Sequence, residues 1–264
     1  MINSLDEPDQ LDRINRTFEA MSPQAILAWS WSRFKPDIVT SSSFQTQSVP
    51  LLHMIALVCP DMPVLFLDTG YHFPETLAFR DALQRWLGLN VQVVYPDPED
   101  KRYLENPLEP LYLRDPDLCC RIHKVKPMER ALKGKVAWVT GVRRDQTAQR
   151  KTVRMIDRRA DGLIRIHPLA NWSKQEVWDY IDQHNLPAHP LFSQGYASIG
   201  CAPCTRPVHE GEDERAGRWA GTDKTECGLH AAAAPLTFSL DRVGSTPTMN
   251  VAAFVEPANL EPET

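Results

Sequence analysis

Long apolar runs are absent from this 264-residue sequence, in which no stretch of about 18 consecutive apolar residues occurs. We therefore expect no membrane-spanning helix. The opening residues, MINSLDEPDQLDR, lack the basic stretch and apolar core of a secretory signal. Basic residues are not in excess, because the formal net charge is -5, which argues against non-specific nucleic-acid binding. These absences predict a cytoplasmic protein that binds neither membranes nor nucleic acid.

Disulfides are not required for stability either, because a chain of this length can bury a sizeable core without covalent cross-links. The six cysteines belong to a sequence without a recognisable export signal, and thiols stay reduced in the cytosol. They are therefore expected to serve as free thiols, metal ligands or redox groups.

Short apolar stretches alternate with segments of helical periodicity. The expected strands cover 37–40, 63–67, 91–94 and 135–140, and 163–166 is a fifth strand or a hairpin arm. Helices are expected over about 9–33 (one or two N-terminal helices), 46–58 and 74–87, and another begins at the capping box 173–176. This alternation predicts an α/β fold with a parallel sheet flanked by helices, in which ligands bind at the carboxyl ends of the strands.

Two other segments stand outside this alternation. Residues 95–118 are rich in Pro, Asp and Glu and are predicted to be a surface excursion. Residues 231–264 have little helical periodicity and are predicted to be a C-terminal tail, either flexible or ordered against another surface, that follows a domain covering 1–230.

Four cysteines form two pairs about 80 residues apart, the adjacent Cys119 and Cys120 and the CxxC pair Cys201 and Cys204. Four thiolates suit either a zinc ion or a [4Fe–4S] cluster. Adjacent cysteines diverge in direction, which favours a cluster with separated irons over one tetrahedral ion. Zinc, and small buried residues at the adjacent pair, remain alternatives on spacing alone.

A fifth cysteine, Cys227, lies in the sequence Glu226-Cys227-Gly228-Leu229-His230. A thiol near histidine and arginine side chains can have a lowered pKa and act as a nucleophile, and the alternative is an ordinary surface thiol. Cys59 lies in an apolar helix and is predicted to be a core thiol.

Polar and basic residues follow the predicted strands and flank the cysteines. Together they would suit an anionic substrate that carries phosphate or sulfate, although each cation alone is typical of a solvated surface. The serine-rich loop 41–48 lacks the Gly-Lys-[Ser/Thr] element of a Walker A loop. The candidate binding residues are Ser41, Ser42, Ser43, Asp68, Thr69, Gly70, Lys124, Gly141, Arg143, Arg144, Arg150, Arg215, Arg218 and His230.

Taken in order, these motifs resemble the assimilatory sulfonucleotide reductase family, and within it the thioredoxin-dependent adenylylsulfate (APS) reductases with a [4Fe–4S] cluster. The resemblance runs from about 35 to 230. It is carried by the serine-rich loop, LDTG at 67–70, CC with Lys124, TGVRR at 140–144, HPLANW at 167–172, CxxC, RAGRW at 215–219 and the final ECGLH.

The resemblance implies a Rossmann-like sheet of the adenine-nucleotide alpha-hydrolase (ATP pyrophosphatase-like) type. It implies one [4Fe–4S] cluster per subunit on Cys119, Cys120, Cys201 and Cys204, and substrate binding by the residues named above. Cys227 would attack the sulfate sulfur of APS, leaving AMP and an S-sulfonated cysteine. A thioredoxin or glutaredoxin-like protein would then release sulfite, and the enzyme would be a homo-oligomer.

Three other functions remain to be distinguished. Reduction of the 3′-phosphorylated substrate PAPS, alone or together with APS, is possible in the same family, although enzymes restricted to PAPS typically lack the cluster cysteines. A cluster-bearing tRNA thiolation enzyme would need a Ser-Gly-Gly-x-Asp-Ser loop, where this chain has Ser-Ser-Ser-Phe-Gln-Thr-Gln-Ser. A zinc-stabilised binding protein would be colourless.

Overall fold

The computed structural model describes residues 8–100, 106, 108–222, 224, 226, 228 and 229. The chain divides between His230 and Ala231, and every described residue belongs to the unit that ends at His230.

A six-stranded sheet with the order β3-β2-β1-β4-β6-β5 forms the centre of the fold. All neighbouring strands are parallel except β5, which runs antiparallel to β6 at one edge. β1 and β2 are almost wholly buried, as strands covered by helices on both faces should be. The strands are β1 Ile38–Ser41, β2 Val64–Leu67, β3 Val91–Val94, β4 Ala137–Val139, β5 Ile156–Arg158 and β6 Ile164–Ile166.

Helices flank this sheet, and their ends follow the local sequence. Proline occupies the first turn of both α3 and α4, where its missing N–H costs no hydrogen bond. Ser173 and Glu176 form a reciprocal capping box at the start of α8. The helices are α1 Pro8–Glu19, α2 Pro23–Phe34, α3 Val49–Val58, α4 Pro74–Leu87, α5 Leu111–Arg114, α6 Pro116–Cys120, α7 Lys126–Leu132 and α8 Lys174–Gln183.

The sheet reverses its winding direction beside β1. From β1 the chain passes through α3 to β2 and through α4 to β3 on one side, whereas β4 pairs with the opposite edge of β1. The loops that follow β1 and β4 therefore separate, and such a switch point opens a crevice at the carboxyl ends of the strands.

Most of the predicted elements are confirmed, and two expectations need correction. The stretch 95–118 is not simply a surface excursion, because it contains α5, where Leu111 is fully buried, and the first turn of α6. The expectation of a strand or hairpin arm at 163–166 is confirmed, because β6 pairs with β5 in a hairpin and is also a parallel neighbour of β4, although β5 itself is not among the predicted strands. The segment 46–58 begins with a 3₁₀ turn, Thr46–Ser48, before α3. None of the described helices has the length and apolar character that a membrane span requires.

Candidate functional site

A cleft opens at the switch point, with about 1210 Å³ of space between its walls and its mouth. The loops after β1 and β4 form two walls, and a segment that follows α8 closes a third side. From the predicted set, the cleft is lined by Ser41, Ser42, Ser43, Lys124, Gly141, Arg150, Arg215 and Arg218.

The loop after β1 is fixed by contacts of its own side chains. Phe44 is fully buried and makes an edge-to-face contact with Phe66, with 5.6 Å between the ring centroids. Its φ of 54° is unusual for a residue other than glycine. Its backbone N–H donates to the Ser42 hydroxyl at 3.0 Å. Gln45 accepts a hydrogen bond from the backbone N–H of Ile199 at 3.0 Å, which joins this loop to the third wall. The serines are thus held at the cleft by a rigid turn.

Arg218 is prepared to bind an anion. Its guanidinium lies over the Trp219 ring, 4.4 Å from the centroid, and donates to the carbonyl of Ile199 at 3.4 Å. Its Nε–H is buried and has no partner among the described residues, which is costly unless a ligand accepts that hydrogen bond. Gly200 permits this placement, because a Cβ there would lie 2.2 Å from the Arg218 Nη2 atom.

Arg150 lies at the same cleft but is engaged by a carboxylate of the protein. Its Nε and Nη2 atoms donate to the two carboxylate oxygens of Glu226 at 3.1 and 2.8 Å. Burial of Glu226 opposes ionisation, but the hydrogen bonds and charge of Arg150, with the Thr147 hydroxyl and Arg215, hold the pKa of Glu226 below its ordinary value. Glu226 is therefore an anion at the edge of the cleft.

The four paired cysteines line one small pocket that adjoins the cleft. Cys119 and Cys120 end α6, where the helix widens into the π-helical turn Arg121–Val125. Cys201 forms a β-bridge with His72, and Cys204 follows one 3₁₀ turn later. Lys124 and Trp219 line both this pocket and the cleft, so the two sites share a wall.

The electrostatics of this pocket favour bound thiolates only when a partner charge is present. Burial and the neighbouring Cys201 raise the pKa of the Cys204 thiol, whereas the nearby cations of Lys124, Arg218 and Lys224 act in the opposite direction. The net effect is a raised pKa of the Cys204 thiol, so a positive metal centre would favour its thiolate form.

The donor set consists of four sulfur atoms around one pocket. Four thiolates of this kind can bind a single tetrahedral zinc ion or an iron–sulfur cluster, in which each thiolate binds a different iron.

The structure places other predicted residues outside the cleft walls. Asp68 accepts a hydrogen bond from the Gly70 backbone N–H at 3.0 Å, and the Thr69 hydroxyl lies 3.3 Å from the Cys201 sulfur. The segment Asp68–Gly70 therefore supports the cysteine pocket. Arg143 is buried, pairs with Asp145 and donates to Gln47, in a neighbouring cavity.

Arg144 points away from the cleft, in contrast to the prediction of a binding residue there. It donates to both carboxylate oxygens of Glu19 on α1, at 2.5 and 3.1 Å, and to the carbonyl of Val153. Its contacts join the loop after β4 to the N-terminal helix. Cys227 and His230 lie outside the described residues, whereas Glu226, Gly228 and Leu229, their neighbours in sequence, are described.

Sequence reasoning missed several residues of the site. The RAGRW motif contains Trp219 but does not indicate that its ring lies beneath the Arg218 guanidinium, which appears only in three dimensions. The ECGLH motif contains Glu226, and an acidic residue beside a candidate nucleophile in a basic region is a signal that indicates its role. His167 is a structural residue, since burial lowers its pKa to about 4 and it hydrogen-bonds the Thr140 hydroxyl at 2.6 Å.

Comparison with known proteins gives a consistent result. Residues 37–207 match the family model described as the phosphoadenosine phosphosulfate reductase domain. The chain is 43% identical over 225 residues to an adenosine 5'-phosphosulfate reductase of Streptomyces coelicolor, covering 83% of this chain and 92% of that protein. It is also 43% identical over 226 residues to a phosphoadenosine 5'-phosphosulfate reductase of Gloeobacter violaceus, covering 84% of this chain and 93% of that protein.

A solved structure supports the same relationship. The phosphoadenylyl-sulfate (PAPS) reductase of Candida auris, determined as a phosphate complex, superimposes with a TM-score of 0.65 and 28% sequence identity. The match covers 75% of this chain and 96% of that one. The predicted fold, a mostly parallel sheet of the nucleotide alpha-hydrolase type, is confirmed.

Proposed function

This chain belongs to the phosphoadenosine phosphosulfate reductase domain family, and from this premise we propose that it reduces adenosine 5′-phosphosulfate (APS) to sulfite and AMP in sulfate assimilation. The observation that carries the proposal is the position of three cations, Lys124, Arg215 and Arg218, around a cleft at the switch point of the sheet. Leu229, two residues after Cys227, lines the same cleft.

The proposed reaction has two steps in which atoms and electrons balance. The Cys227 thiolate attacks the sulfur of APS, an S–S bond forms, and the bond from sulfur to the phosphate oxygen breaks, so AMP leaves with that electron pair. A thiolate of a thioredoxin or glutaredoxin-like dithiol then attacks the Cys227 sulfur and displaces sulfite. The second thiol of that partner closes its disulfide and restores the Cys227 thiol, so the partner supplies both electrons.

The cations answer the main electrostatic difficulty of this reaction. An anionic thiolate must approach a sulfuryl group that already carries negative charge, and preorganised cations stabilise that arrangement. Arg218 contributes a buried Nε–H without a partner in the described part of the chain, and Lys124 stands between the cleft and the cysteine pocket. AMP is a good leaving group, so no strong general acid is required.

We also propose that Cys119, Cys120, Cys201 and Cys204 hold one [4Fe–4S] cluster per subunit. Their shared pocket and their four soft sulfur donors support this assignment. When bound, the cluster would supply a fixed charge beside Lys124 and tune the electrostatics of the cleft. The electrons of the reaction come from the dithiol partner.

Reduction of PAPS is the second candidate. The Gloeobacter violaceus relative, which is named for PAPS, has the same sequence identity to this chain, 43%, as the Streptomyces coelicolor relative named for APS. Protein purified without oxygen should release sulfite from APS in the presence of thioredoxin, with a higher kcat/KM for APS than for PAPS. A higher value for PAPS would transfer the assignment to the second candidate. Sulfite release from neither nucleotide would refute the proposed function.

Gly200→Ala should weaken substrate binding without unfolding the protein. The added Cβ would collide with the Arg218 guanidinium, which is the far end of a flexible side chain and can move aside. Because a hydrogen bond to a charged group contributes about 1.5–3 kcal/mol, we expect KM for APS to rise about 10- to 100-fold. Steady-state kinetics and thermal unfolding would measure the two effects.

The test of this cause is a double-variant cycle with Arg218→Ala. If Gly200→Ala acts through Arg218, adding it to Arg218→Ala should produce little further loss. Additive losses would show that Gly200 affects the cleft by another route.

A further inference from the structure

We propose that Glu226 is a positioning residue, which holds the segment 226–229 against the cleft through a bidentate ion pair with Arg150 and so orients Cys227 for attack. This inference rests on the proposed function for its catalytic consequence, but the ion pair itself is a feature of the described residues.

The pair has the geometry of a strong, directional contact. Glu226 receives hydrogen bonds from Arg150 Nε at 3.1 Å, from Arg150 Nη2 at 2.8 Å and from the Thr147 hydroxyl at 2.8 Å. Arg215 adds a longer ion pair at 3.5 Å. A fork of this kind fixes orientation as well as distance, which a single point charge does not.

Burial makes the pair difficult to replace by water. The Arg150 and Glu226 side chains are only 10% and 12% exposed. Truncation of either partner would therefore leave a largely desolvated charge without its counter-ion. The third nitrogen of Arg150, Nη1, donates to Gln146, so each of its side-chain nitrogens has a protein partner. In this proposal Arg150 acts through Glu226, and the direct binding role predicted from the sequence stays a prediction, since Arg150 also lines the cleft.

The segment is held at a second point on the far side of Cys227 in the sequence. Leu229 lines the cleft and packs against the apolar cluster that contains Met128 and Trp138. Gly228 lies close to the π-helical turn that precedes α7, since a Cβ atom on Gly228 would be 3.1 Å from the Cγ2 atom of Val125. In the sequence, Cys227 therefore lies between a polar anchor at Glu226 and an apolar anchor at Leu229.

Glu226→Gln should slow the first chemical step while leaving substrate binding almost unchanged. The glutamine amide keeps the shape of the side chain and one hydrogen-bond acceptor. It loses the negative charge that pairs with the Arg150 guanidinium. Because a displacement of about 1 Å from the reactive geometry can cost about 100-fold in rate, we expect S-sulfonation of Cys227 to slow by about 10- to 100-fold. Single-turnover mixing with APS, followed by mass spectrometry of Cys227, measures that rate.

A second measurement does not depend on the proposed chemistry. Without substrate, the Cys227 thiol of Glu226→Gln should react faster with iodoacetamide than that of the unaltered protein, because the segment is released from one anchor. Arg150→Lys, which keeps a positive charge but cannot form the fork, should show the same two changes. Asp157→Asn is the matched control, since Asp157 forms a bidentate pair with Arg165 in the β5–β6 hairpin at 2.7 and 2.9 Å.

The outcomes separate this inference from the proposed function. If the unaltered protein fails to form S-sulfonated Cys227 from APS, the proposed function is refuted, and the alkylation rates still test the anchor. If Glu226→Gln leaves both the sulfonation and alkylation rates unchanged, Glu226 does not position Cys227. A lower KM for APS with an unchanged maximal rate would also overturn the inference, because it would make Glu226 a competitor of the substrate.

Discussion

Cys227→Ser is expected to lower sulfite release from APS by more than about 10³-fold, since removal of a catalytic nucleophile commonly has effects of this size or larger. A serine hydroxyl stays protonated at neutral pH, whereas a few per cent of an ordinary cysteine is thiolate. Cations near a thiol increase that fraction further. Lys124, Arg215 and Arg218 line the cleft that Leu229 also lines, so the reactive segment is associated with these charges.

Cys227→Ser should lose sulfite release but still bind APS. Serine is close to cysteine in size, and the residues that line the cleft are untouched. The dissociation constant for APS should therefore remain within about threefold of that of the unaltered protein, because surface and near-isosteric changes usually shift free energies by less than about 0.5 kcal/mol. Equilibrium binding, sulfite release and iron content would be measured on the same preparation.

Two results would contradict the assignment of Cys227. If Cys227→Ser kept appreciable activity, another group would have to be the nucleophile. If it lost activity together with APS binding, Cys227 would be a structural residue of the cleft. A mass increase corresponding to one sulfonate group on Cys227 in the unaltered protein, absent from the variant, completes the test.

The central strands β1, β2 and β4 could be predicted because each is an apolar run that is followed by polar residues. Val64–Leu67 is buried throughout, and the turn that follows it begins at Asp68. Strand β5 could not be found in this way. Its three residues include only one apolar side chain, Ile156, and the strand exists because it pairs with β6. Pairing of this kind is a property of the fold and leaves little local signal.

The prediction of the site was limited by contacts between residues that are distant in sequence. Arg143 and Arg144 are adjacent and identical in type, yet one turns inward to Asp145 and Gln47 and the other outward to Glu19. The chain begins a turn at Arg144, and the contacts of the two arginines lie in different directions from the loop after β4. The partner on α1 is 125 positions away and could not be deduced from the motif TGVRR.

Cys201→Ala is expected to remove most of the iron and acid-labile sulfide from protein purified without oxygen. The proposed cluster depends on four thiolates, and loss of one opens an iron to water and oxidants. Cys201 is also tied to the rest of its pocket, because it bridges to His72 and lies 3.3 Å from the Thr69 hydroxyl. Iron and sulfide assays, together with the visible absorption of the cluster, measure the effect independently of activity.

Cys59→Ala is the matched control for this experiment. Cys59, like Cys201, is a buried cysteine, but burial raises the pKa of its thiol to about 12, so the thiol stays protonated in its apolar surroundings. Its replacement should leave iron, sulfide and visible absorption unchanged. Equal metal loss in both variants would indicate a general loss of folding, which thermal unfolding would reveal.

The same measurements decide between iron and zinc at the four-cysteine pocket. A brown, iron-containing protein that becomes colourless in Cys201→Ala supports the cluster. A colourless, zinc-loaded protein prepared without oxygen would refute it. In that case Lys124, which lines both the pocket and the cleft, would have a zinc thiolate site as its neighbour. Because four thiolates around one zinc ion carry a net negative charge, the cations of the cleft would then serve partly to neutralise the metal site.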